Sequence, residues 1–154
     1  MKLENLLNIK MFTIADEEYE TTLSEDLQVD TESVETINVS LANQAKLVTM
    51  YGFAHEHALA HERKLEEDLE YAYAVLDSQA RAAANAAGSK LTEKMVENTV
   101  KTDPGYIELR NKYLDAKASS GLLKAALKGI EQRKDTAVTI AHNLRSENKN
   151  NSYE

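Results

Sequence analysis

Apolar residues recur at alternating spacings of three and four, from Val34, Ile37 and Leu41 through Val48, Tyr51, Ala58, Leu65, Leu69, Ala72 and Leu76. That period belongs to one long amphipathic helix. No proline interrupts positions 34–76 and the only glycine there is Gly52, so at the helical rise the rod measures about 60 Å. A rod of this length exposes an apolar seam that it cannot bury itself, and a second segment or a second copy must cover it. Asp30 or Thr31 is expected to cap the first turn, with Glu32 and Glu35 beside the positive end of the helix dipole. Gly88 supplies the left-handed residue that ends such helices, which places the stop near residue 87.

The pattern then restarts twice. Ser89 is the expected cap of a short helix at about 90–101 that carries Leu91, Met95, Val96 and Val100. The pair Asp103-Pro104 sets an acceptor at the cap and a proline at the first helical position, where a missing donor does no harm. A second long helix follows over about 104–146, with the seam Leu109, Tyr113, Ala116, Leu123, Leu127, Ile130, Ala137, Ala141 and Leu144. Two long helices joined by one short helix predict an all-α fold: a long antiparallel, coiled-coil-like hairpin over 31–147. Residues 1–30 read as an acidic N-terminal arm led by the apolar patch Leu3, Leu6, Leu7, Ile9, Met11, Phe12 and Ile14, and 148–154 read as a frayed polar tail. Two helices make an incomplete core, so the flanking Leu47, Leu59, Tyr73, Leu122 and Ile140 are expected to meet other copies.

Composition narrows the class. With 154 residues, 42% hydrophobic, no cysteine, no tryptophan and only six glycines and prolines, the chain suits one helical domain with almost no sheet and no thiol chemistry. No uncharged run approaches the length of a membrane span and the amino terminus lacks a secretion signal, so the expected location is cytoplasmic, without a membrane partner.

The net charge of −8 is unevenly spread. Residues 1–36 hold ten acids against Lys2 and Lys10, whereas residues 79–154 hold thirteen cations and nine acids. Such asymmetry raises the question of polyanion binding. Arg81, Lys90, Lys94 and Lys101 fall around the turn end of the hairpin, and Arg110, Lys112, Lys117, Lys124, Lys128, Arg133 and Lys134 run along the second long helix with only Asp115 and Glu131 between them. Tyr71, Tyr73, Tyr106 and Tyr113 are aromatic groups that could stack on bases, although tyrosines at helical spacing also fill seams.

Constellations for catalysis are sparse. There is no phosphate loop and no nucleophile elbow. His57 and His61 stand four apart beside Glu56 and Glu62, a chelating spacing, but neither the zinc-protease pattern nor the di-iron repeat is completed. No cofactor or metal is expected, and Gln44, His55 and Glu62 lie on the seam as polar groups that could set helix register.

The order of elements resembles the phage recombination mediators of the UvsY type. The resemblance rests on Thr92-Glu93-Lys94, Val100 to Asp103, Tyr106, Leu109 and the stretch from Leu122 to Arg133 ending Ile130-Glu131-Gln132-Arg133-Lys134, and covers about residues 37–146. It implies a non-enzymatic, ring-forming helical homo-oligomer that binds single-stranded DNA and loads a RecA-like recombinase against the single-strand-binding protein. Near the end of the first long helix that family carries a dense basic stretch, where this chain reads EEDLEYAYAVLDSQAR. The strand-binding cations would therefore be those at the turn end and on the second helix. The competing expectation is a coiled-coil scaffold or assembly chaperone that works through protein contacts alone, with an enzyme as the remote third.

Overall fold

A computed structural model describes residues 12–14, 17–19 and 22–151. The chain is an all-α helical hairpin. A three-residue antiparallel ladder precedes it, β1 (Phe12–Ile14) on β2 (Glu17–Tyr19), with Phe12 opposite Tyr19 and Ile14 opposite Glu17. The helices are α1 (Leu23–Asp26), α2 (Val34–Ala42), α3 (Gln44–Ala86), α4 (Glu93–Thr102) and α5 (Pro104–Asn151). The apolar patch from Leu3 to Met11 and the last three residues of the expected tail lie outside the described residues.

Capping chemistry sets the ends. The first long element begins at Val34, not near residue 31, because Ser33 is its cap: its hydroxyl accepts from Thr36 N–H at 3.1 Å while Thr36 Oγ1 accepts from Ser33 N–H at 3.1 Å. Asp30 is spent earlier, accepting from Glu32 N–H at 3.0 Å. At the far end Gly88 has φ of 64°, the Ser89 N–H donates to Ala84 O at 3.0 Å and the Gly88 N–H to Asn85 O at 3.1 Å. Those two bonds satisfy the last carbonyls of α3 in the Schellman manner. Ser89 is thus used in ending α3, and Thr92 caps α4 instead, accepting from Met95 N–H at 3.3 Å. Asp103 accepts from Tyr106 N–H at 2.9 Å ahead of Pro104, as its spacing demands. The final helix then runs on to Asn151.

The single rod expected from residue 34 onward is bent at Asn43, which separates α2 from α3. The bonds across the bend are long, 3.3 Å from Asn43 N–H to Val39 O and 3.2 Å from Leu47 N–H to Asn43 O. Arg133 Nη1 donates to the carbonyl of Ser40 at 3.2 Å, the acceptor that helix geometry assigns to Gln44. A side chain inserted at a ladder carbonyl is a recognised cause of a helix bend.

The chain forms two compact units, residues up to 57 with 122 onward, and residues 58–121. In the first, α2 and the start of α3 run antiparallel to the end of α5. Ile37, Ala137 and Ala141 are buried together, with Val29, Leu41, Ile140 and Leu144 packed against them. Ala126, Ala137 and Ala141 keep this face of α5 shallow, so the larger Ile37, Tyr51 and Ile130 sink to full burial. In the second unit the antiparallel pairing is Glu62 with Ser120, Glu66 with Tyr113 and Tyr73 with Tyr106. There α4 contributes Val96 and Val100, both fully buried. No helix among the described residues is long and apolar enough to cross a membrane.

Candidate nucleic-acid interface

Two of the three polar residues expected on the seam, Gln44 and Glu62, meet partners on the facing helix. Gln44 is buried and its amide donates to Ile130 O at 2.5 Å, while its carbonyl accepts from Arg133 Nη1 at 2.7 Å. Glu62 accepts from Ser120 Oγ. A polar group on the seam whose partners lie at one place on the facing helix favours one register, because sliding by one turn would strand it. His55 is half-buried, its Nδ1 3.5 Å from Glu56 Oε1. His57 and His61 are exposed, and among the described residues no three of His, Asp and Glu converge as a metal cluster.

The eleven cations expected to meet a nucleic acid separate into distinct groups. Arg81 is clamped in the second unit by Asp77 (Nε to Oδ2, 2.9 Å) and Glu93 (Nη2 to Oε2, 2.6 Å). Its guanidinium holds both carboxyls below the usual carboxylate range, and the two acids push Arg81 further up in return. Lys101 pairs with Glu97 and Lys112 with Glu108, each four residues apart on its helix. Hydrogen bonding to Glu97 raises the Lys101 ammonium, and Lys112 lowers the Glu108 carboxyl. These three cations are already neutralised locally.

Lys117 Nζ donates to Tyr113 Oη at 3.0 Å, and that hydroxyl donates to Glu66 Oε1 at 3.1 Å. The ammonium is also 5.2 Å from the Tyr113 ring centre. Being so much nearer the oxygen, it sits off the hydroxyl end of the ring, and the contact is a hydrogen bond more than a cation–π stack. This bond raises the Lys117 ammonium above its ordinary value.

Arg133 departs furthest from expectation. It is 9% exposed, turned into the hairpin of the first unit, where Nε donates to Gln28 O at 3.0 Å and Nη1 to Ser40 O and Gln44 Oε1. Burial lowers its basicity, against the pull of Asp26. The phase of the seam carried this signal, since Ile130, Arg133 and Ala137 are spaced three and four.

Six cations remain. Lys90, Lys94 and Arg110 in the second unit, and Lys124, Lys128 and Lys134 in the first, are exposed and make no ion pair among the described residues. Lys124 and Lys128 stand one turn apart on α5, and Lys134 borders an apolar groove of about 590 Å³ lined also by Leu41, Ala45, Val48 and Val138. Of the four tyrosines, Tyr73 and Tyr106 meet edge to face, 6.1 Å between centres and 66° between planes, and Tyr113 is tied to Glu66. Tyr71 is 74% exposed and presents an open ring. No protein-family model, curated protein or solved structure matches this chain.

Proposed function

We propose that the chain is a non-enzymatic recombination mediator: it binds single-stranded DNA and assists the loading of a RecA-like recombinase against the single-strand-binding protein, in the host cytoplasm. The observation that carries this reading is the set of exposed cations that make no ion pair among the described residues, Lys90, Lys94, Arg110, Lys124, Lys128 and Lys134. Phosphate contacts draw on such groups because each releases condensed counterions at no cost in broken ion pairs. The likeness of 37–146 to the UvsY type supports it. The mediator acts as a ring-shaped homo-oligomer, in which a modest patch repeats in every subunit and gains strength by multivalency. Gel shifts with single- and double-stranded oligonucleotides at two salt concentrations test the reading: preference for the single strand and weaker binding at higher salt are expected, and affinity indifferent to salt contradicts it.

A second reading, a scaffold that works through protein contacts alone, is favoured by a different observation. Val39, Phe53, Tyr71 and Leu114 are large apolar side chains between 47% and 74% exposed, and such groups serve interfaces between proteins. A folded protein that binds no oligonucleotide even at low salt selects it.

A further inference from the structure

Residues 22–29 lie along one flank of the first unit, and their contacts step down α5 as the numbering falls. Val29 packs on the cluster of Ala137 and Ala141, Gln28 O accepts from Arg133 Nε, and Leu27 rests where a Cβ on Gly129 would be only 3.2 Å away. On α3 the same segment reaches Tyr51, whose hydroxyl donates to Asp26 Oδ2 at 2.9 Å. Glu25 and Asp26 share with Met50 and Arg133 the lining of a cleft of about 390 Å³. Leu23, one turn before Leu27, is buried. The flank continues past it in apolar side chains that stay exposed. Phe53, one turn beyond Met50, is 60% exposed, and Leu122, on the face of α5 that carries Gly129 and two turns before it, is 43% exposed.

The chain that leads into Thr22 holds apolar residues to match, Leu3, Leu6, Leu7 and Met11. The antiparallel ribbon of β1 and β2 delivers them to this place. Phe12 is opposite Tyr19, and Tyr19 stands three residues before Thr22, so position 12 returns to within about 15 Å of Thr22. From there residues 3–11 span about 13 Å even when fully coiled, enough to pass the two turns of α5 between Gly129 and Leu122. A two-stranded ribbon is marginal by itself and gains from a surface beside it.

We propose that Met50, Phe53 and Leu122 form a seat for the chain's own residues 3–11, which extend the cover that residues 22–29 begin. The occupant is this chain and not a second copy, because the ribbon holds the segment beside the seat at the high effective concentration of a short tether. Docking takes the leucines of the segment and the rings and methyls of the seat out of water together. None of the six cations of the candidate interface belongs to the seat, so the inference stands apart from strand binding.

The test is cross-linking of the full chain, made clean by a sequence without cysteine. One protein carries Asn8→Cys with Ala125→Cys, an exposed position one turn from Leu122. A second carries Asn8→Cys with Val138→Cys, which borders the groove of about 590 Å³ instead. A third adds Leu3→Asn, Leu6→Asn and Leu7→Asn to the first. Each is treated with a short bismaleimide and followed on a denaturing gel, with the linked peptides identified by mass. A seated segment holds its thiol at higher local concentration than a merely tethered one, so the first protein should link within the monomer about tenfold faster than the second. The third should lose that link. Equal rates in the first two proteins, or a link that survives the asparagine substitutions, overturns the seat. A link formed mainly between two copies, seen as a dimer on the gel, overturns it in favour of segments exchanged between neighbours.

Discussion

Replacing Arg133 with alanine should cost about 3 kcal/mol of folding stability, a lowering of the midpoint of thermal unfolding by about 9 °C for a chain of this size. The guanidinium supplies hydrogen bonds to Gln28 O, Ser40 O and the Gln44 side chain, and without it three acceptors between helices lose their donor. A buried acceptor left unsatisfied costs roughly 1–3 kcal/mol, and the open cleft beside the site admits water enough to keep the sum at the lower end. Lysine is a poor substitute, because one ammonium cannot reach the geometry that Nε and Nη1 serve together. Urea unfolding of the alanine and lysine variants checks this. A loss below about 1 kcal/mol in both would mean that the bend at Asn43 and the docking of residues 22–30 do not depend on the guanidinium.

Ile37→Ala should cost about 3 kcal/mol, and Ile37→Val about 1 kcal/mol. Ile37 is fully buried against Ala137 and Ala141, and neither alanine can grow to fill the space its side chain leaves. Helix backbones already close together have little room to collapse, so the cavity persists and adds to the lost transfer energy. Unfolding of the two variants under one set of conditions reads the difference directly. Equal costs for valine and alanine would indicate that this end of the hairpin relaxes freely.

Features set by local rules were legible in the chain. The seams, the Asp103-Pro104 start and the Gly88 stop depend on neighbours within five residues and all stand where the spacing puts them. The cap of α2 was harder, because Asp30, Thr31 and Ser33 all offer acceptors and the choice turned on Thr36 returning the bond to Ser33. Similar competition moved the start of α4 from Ser89 to Thr92. The candidate interface was legible in part. Lys101 with Glu97 and Lys112 with Glu108 follow from four-residue spacing. The Arg81 clamp on Glu93 bridges the turn after Gly88 and needs the fold. Arg133 posed a conflict between two signals, charge that argues for solvent and phase that argues for the seam, and phase prevailed because Gln44, Ser40 and Gln28 converge on the guanidinium. None of those three partners is within 80 residues of it in sequence.

The division of cations into engaged and unengaged groups bears the functional account, and the salt slope of single-strand binding measures it. Lys124→Gln, Lys128→Gln, Lys134→Gln in one protein should lower the slope by about 2, the share of three phosphate contacts on a single strand. Arg81→Gln, Lys101→Gln, Lys112→Gln in another should leave it close to wild type, since those cations already face acids. Equal slopes in the two variants, whether both lowered or both unchanged, would contradict the account.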